Sequence, residues 1–105
     1  MDSRARAEQL LTSSSAARRI ADLVAAAGEP VRYEVLRHLL RVSEETMTEA
    51  LQEAVDLRLV RRAEDAFTYV TFDEATGTEI VEAMGPERAA RMRGQMARAR
   101  QRVFE

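Results

Sequence analysis

The sequence predicts a mainly α-helical domain with a small β-hairpin, and three observations predict it. Apolar residues recur at helical spacing in several short blocks, most of them bounded by Gly, Pro or Ser. One block alone, Leu59 to Phe72, changes to the β-branched and aromatic composition of paired strands. A chain of 105 residues, 46% hydrophobic and 32% charged, can fill one core but not two independently stable ones.

The elements follow in order. Residues 1–14 hold a short amphiphilic piece, Arg4 to Leu11, and then Ser13-Ser14-Ser15, which favours a helix start near Ser15 because Ser hydroxyls compete for backbone N–H groups. Ile20, Leu23, Val24 and Ala27 give the first full helix one apolar face; Gly28 closes it and Pro30 enforces the stop. Val31 and Arg32 have room for a very short strand. Val35, Leu36, Leu39 and Leu40 then define a second helix from Tyr33 to Arg41. Ser43 caps a third, running to about Leu57, and Glu44 and Glu45 suit its positive end. Met47, Ala50, Leu51 and Ala54 face inward, which turns Glu45, Thr48, Glu49, Gln52, Glu53 and Asp56 outward. Leu59–Arg62 and Phe67–Phe72 form the hairpin. Asp73 or Thr76 caps a further helix, with Thr76 and Glu79 at capping-box spacing and Gly77 favouring the later start. Gly85 ends it, and Pro86 opens an Arg-rich last helix whose Ala89, Met92, Met96, Ala99 and Val103 make a heptad-like seam.

Charge is segregated along the chain. The net charge is −2, and all 16 basic residues are Arg. Residues 43–57 carry five acids and no base, residues 63–82 six acids and no base, and residues 86–105 six Arg against Glu87 and Glu105. The faces of such a domain therefore matter more than its total. The absence of Cys excludes disulfides and thiolate chemistry. No apolar run approaches a membrane span and no secretory signal is recognisable, so a cytoplasmic location is expected.

Helix, short strand, helix, tight link, helix and hairpin is the order of a winged helix-turn-helix, here with an extra C-terminal helix: residues 1–14 form an arm, 15–84 the winged-helix domain and 85–105 the Arg-rich helix. The run "ARRIADLVAAAGEPVRYEVLRHLLRVSEETMTEALQEAVDLRLVRRAEDAFTYVTF", residues 17–72, resembles the winged-helix domain that follows the ATPase core in STAND-class signal-transduction regulators, including MalT-like and LuxR-type transcriptional regulators. The resemblance rests on "GEPV" before the second helix, on "VSEETMTEALQEAVDLRLV" leading into the wing, on Tyr69 to Phe72, and on "IVEAMGPERAARMR" downstream. It implies an internal regulatory module. Where such regulators often place a nucleotide-facing His after the aromatic strand, this chain has Asp73, and no Gly-Lys-Ser/Thr phosphate loop occurs.

No catalytic constellation emerges. His38 has no partner ligands in the sequence, and the carboxylate pairs Glu44/Glu45 and Asp73/Glu74 diverge on a helix. No cofactor, metal or small-molecule substrate is expected. Two binding readings remain. In the first, Glu45, Glu49, Gln52, Glu53 and Asp56 meet a protein partner, and Met92 and Met96 pack on another helix or on a second copy. In the second, a dimer binds DNA through Arg32, Arg37, Arg41, Thr48, Gln52, Arg61 and Arg62. Nucleic acid draws affinity from phosphate neutralisation, so an acidic third helix disfavours the second reading.

Overall fold

The computed structural model describes residues 14–64 and 67–104, the side chain of Phe104 excepted. The described elements are α1 (Ser15–Ala27), β1 (Val31–Arg32), α2 (Tyr33–Leu40), α3 (Glu44–Asp56), β2 (Val60–Arg62), β3 (Thr68–Thr71), α4 (Glu74–Met84) and α5 (Pro86–Phe104). The chain is mainly α-helical with a small antiparallel sheet, as its sequence predicts. Of the expected N-terminal arm, all but Ser14 lies outside the described residues.

The first helix, α1, is the hub. Ser14 caps it through its hydroxyl, which accepts from Ala17 N, and Gly28 ends it in the left-handed region at φ 66°. Between these caps Ile20, Leu23 and Val24 are sealed from solvent, and Ala17, Ala21, Ala25 and Ala26 let neighbouring elements approach closely. Against it pack α3, α4, α5 and β3. Each large apolar side chain removed from water in this way contributes on the order of 1.5–3 kcal/mol.

The expected hairpin is part of a three-stranded sheet in the order β1-β3-β2. The short strand at Val31–Arg32 pairs with β3, Val31 opposite Tyr69, while Val60 lies opposite Thr71 on the other side. Tyr33 N donates to Phe67 O at 2.8 Å and extends that pairing into the first residue of α2. Tyr69 is buried, whereas Phe67 and Phe72 are exposed, so the aromatic strand is only partly a core element.

The start of α4 settles a choice that the sequence leaves open. Asp73 is the cap: its Oδ1 accepts from both Thr76 N at 2.7 Å and Thr76 Oγ1 at 2.6 Å. Thr76 is therefore a buried residue of the first turn rather than the cap, and Gly77 lies inside the helix. A Cβ at Gly77 would stand 3.1 Å from Thr71 Oγ1, so the glycine lets α4 lie close to β3.

The last helix, α5, starts at Pro86 as expected. Its seam of Ala89, Met92, Met96 and Ala99 is buried, and the helix packs on α1, α2 and α4 of the same chain.

Candidate functional site

The outward side of α3 carries a row of acidic and amide side chains. At about 100° per residue, Glu45, Glu49, Gln52 and Asp56 fall within about 40° of one line down the helix. All four are exposed. Gln52 Nε2 donates to Asp56 Oδ1 at 2.8 Å, and among the described residues Glu45, Glu49 and Asp56 form no ion pair. The Ser43 hydroxyl accepts from Thr46 N at 3.1 Å and fixes the first turn that carries Glu45.

Glu53 does not belong to this open ridge. It is half-buried toward α1, and its Oε2 accepts from Ser14 N and Ser14 Oγ, each at 2.8 Å. The carboxylate thus holds the capping residue of α1 instead of facing a partner. The sequence offers no sign of this difference, since Glu49 and Glu53 occupy successive turns of one polar face.

Met92 and Met96 take the first of the two packings expected of them, on other helices of the chain. They are 7% and 2% exposed, within the core, so the seam proposed for self-association is used inside the chain. The reason is that α5 packs on α1, α2 and α4, so its methionines join the common core.

The arginines expected at a nucleic-acid surface are divided. Arg37 Nη1 donates to Val42 O and closes the link between α2 and α3. Arg32 pairs with Glu34 at 3.4 Å, and Arg61 Nε donates to Phe72 O at 3.3 Å. Arg41 is exposed in a left-handed conformation, φ 53°, just after α2. Arg62 lines a crevice of about 380 Å³ between α3 and the sheet, with Thr48, Leu51, Gln52, Val55 and Tyr69. These five side chains do not gather beside α3 as one free basic cluster.

The basic surface that the sequence reading passed over lies on α5. Three of its arginines are paired within the chain: Arg88 to Asp22 at 3.1 Å, Arg93 Nε to Ala26 O at 3.0 Å, and Arg100 to Glu29. Arg91, Arg98 and Arg102 are exposed and share one line down the helix with Gln95. Their spacing of seven and four residues was the available signal.

Asp22 is a buried carboxylate on α1, only 3% exposed. Burial raises its pKa, and the nearby charges of Arg88 and then Arg18 lower it, with burial prevailing. Its Oδ2 lies within ion-pair distance of Arg88 but makes no hydrogen bond. The pair ties the start of α5 to α1.

A second concavity, about 540 Å³, lies between the end of α1, β3 and α4, floored by Val24, Val70 and Val81 and edged by Glu29, Glu74 and Glu82. His38 is half-buried on α2 beside Arg98 and Arg102. Among the described residues, no three His, Cys, Asp or Glu side chains converge as metal ligands, and no helix is long and apolar enough to cross a membrane. Comparison with protein-family models, curated proteins and solved structures finds no match to this chain.

Proposed function

We propose that this chain is a non-enzymatic winged-helix interaction module of transcriptional or signalling control, acting in the cytoplasm and binding a basic protein surface through α3. Its support is the ridge of Glu45, Glu49 and Asp56, exposed and without ion pairs among the described residues. Three carboxylates on the helix that would enter a DNA groove repel phosphate. The same carboxylates steer a cationic protein surface and fix its register. The order of elements, with α2 and α3 joined by a tight link and β2–β3 as the wing, agrees with the resemblance to the internal domain of STAND-class regulators.

Capture experiments with Glu45→Arg and Glu49→Arg test the proposal. Loss of bound protein with an unchanged circular dichroism spectrum is expected. Capture unaffected by both reversals would remove α3 as the binding face.

The crevice holding Thr48, Gln52 and Arg62 favours one second reading, a direct DNA-binding regulator that acts as a dimer. That reading requires duplex binding at about 50 mM salt which weakens steeply as salt rises and loses affinity evenly across sequences in Arg62→Ala. On the interaction-module reading no such binding occurs.

A further inference from the structure

The ridge on α3 and the arginine line on α5 share one spacing. On α3 the residues are Glu45, Glu49, Gln52 and Asp56, at relative positions 0, 4, 7 and 11. On α5 they are Arg91, Gln95, Arg98 and Arg102, again at 0, 4, 7 and 11. Each line runs roughly 16 Å at 1.5 Å per residue. All eight side chains are exposed.

Laid antiparallel, the two lines match at every position. Glu45 meets Arg102, Glu49 meets Arg98, Gln52 meets Gln95, and Asp56 meets Arg91. Laid parallel, only Glu45 with Arg91 and Asp56 with Arg102 are opposite charges, and Glu49 and Gln52 face unlike partners. The antiparallel register thus forms three ion pairs and one amide pair, and it puts like charges together nowhere.

The fold prevents these lines from meeting within one chain. Both helices pack against α1, yet they have no substantial packing with each other. Exposed Ala90 and Ala97 and half-buried Gly94 border the arginine line on one side, and the Arg98 guanidinium lies over Gly94, 3.5 Å from where its Cβ would stand.

We propose that the partner of the α3 ridge is the α5 arginine line of a second copy of this chain, docked antiparallel in the register Glu45–Arg102, Glu49–Arg98, Gln52–Gln95 and Asp56–Arg91. This rests on the proposed role of α3 and names its partner. The contact joins two different faces, so it is heterologous: a docked pair keeps one free α3 on one copy and one free α5 on the other, and assembly continues into a chain or closes into a ring. Solvent-exposed ion pairs hold it, so it is weak and screened by salt.

Sedimentation velocity of the full chain at high concentration, at about 50 mM and about 500 mM salt, tests the idea in the range where screening of exposed pairs changes most. Concentration-dependent growth in mass at low salt that disappears at high salt is expected. Glu49→Arg alone and Arg98→Glu alone each stay monomeric, because Arg then faces Arg, or Glu faces Glu. An equimolar mixture of the two variants assembles again: reversed Glu49 of one meets reversed Arg98 of the other, and the native pair forms at the next contact. A mixture of Glu49→Arg with Arg91→Glu does not recover fully.

A wild-type chain that is monomeric at every salt and concentration overturns the proposal. Assembly indifferent to salt, or a mixture of Glu49→Arg and Arg98→Glu that fails to recover, overturns the pairing. Arg98→Glu keeps its α3 ridge intact. If that variant and the wild type both capture another protein through Glu49 while neither self-associates, α3 remains a binding face and only its partner is wrong.

Discussion

Helices α3 and α5 solve the same packing problem with opposite charge. Each packs on α1 and buries an Ala and Met seam in the core: Met47, Ala50 and Ala54 from α3, and Ala89, Met92, Met96 and Ala99 from α5. Each also commits some charges to docking and leaves others in solvent. On α3 the committed charge is Glu53, bound to Ser14; on α5 they are Arg88, Arg93 and Arg100, bound to Asp22, Ala26 O and Glu29. The difference lies in depth. The α3 contact closes an exposed helix cap, whereas α5 reaches a carboxylate that is almost wholly buried. Loss of a docking charge should therefore cost more on α5 than on α3, and loss of a free charge should cost neither.

The largest effect belongs to what the two helices share. Met96→Ala removes a side chain that is 2% exposed and leaves a cavity in the core, so it should destabilise the fold by about 2–4 kcal/mol in urea unfolding. Gln95→Ala, one residue earlier and exposed, should leave the transition within about 0.5 kcal/mol of wild type. Equal losses at both positions would mean that α5 does not dock through its methionine seam.

Next comes the buried contact of α5. Arg88→Ala leaves Asp22 buried without the nearest charge that favours its ionised form. Breaking a fully buried pair costs about 3–5 kcal/mol, but the Arg88 side chain is 44% exposed, so about 1–2 kcal/mol at neutral pH is expected. The sign with pH follows from the raised pKa. Folding favours the neutral form of Asp22, so its contribution is fully present below the unfolded aspartate range, near 3.9, and is lost as pH rises through its folded value. Arg88→Ala raises that folded value further. The deficit of the variant should therefore shrink as pH falls and Asp22 becomes protonated; a deficit that stays constant from pH 7 to pH 3 would show that Arg88 acts through packing alone.

The features legible in the sequence are those carried by short-range chemistry. Helical spacing, the Ser and Gly boundaries, Pro86 as a first residue and the change of composition at the hairpin all act within a few residues, and the structure keeps each of them. Contacts between distant segments were not legible. Val31–Arg32 is too short to show a strand period, and only β3 beside it makes it part of a sheet. Gly77 argued for a late start to α4 because glycine weakens a helix, but a close β3 accounts for it. The heptad-like seam of α5 shows that something covers it, and the chain's own α1 and α2 provide that cover. Asp22 drew no notice because its partner stands 66 residues away, at Arg88.

The smallest difference lies within α3, between two glutamates one turn apart. Glu53→Gln weakens the two contacts that hold Ser14, and Ser14 in turn caps α1 by accepting from Ala17 N at 3.2 Å. Water reaches the site, so the loss should be about 1 kcal/mol, comparable to loss of an N-cap. Glu49→Gln removes a charge with no ion-pair partner in the described chain, so its unfolding free energy should stay within about 0.5 kcal/mol of wild type. A binding experiment should reverse that order, with Glu49 mattering more than Glu53. The crossing of the two rankings separates a carboxylate that builds the domain from one that the domain presents. If both substitutions lowered stability alike, the ridge would be part of the fold's own support, and α3 would have no free face left to offer.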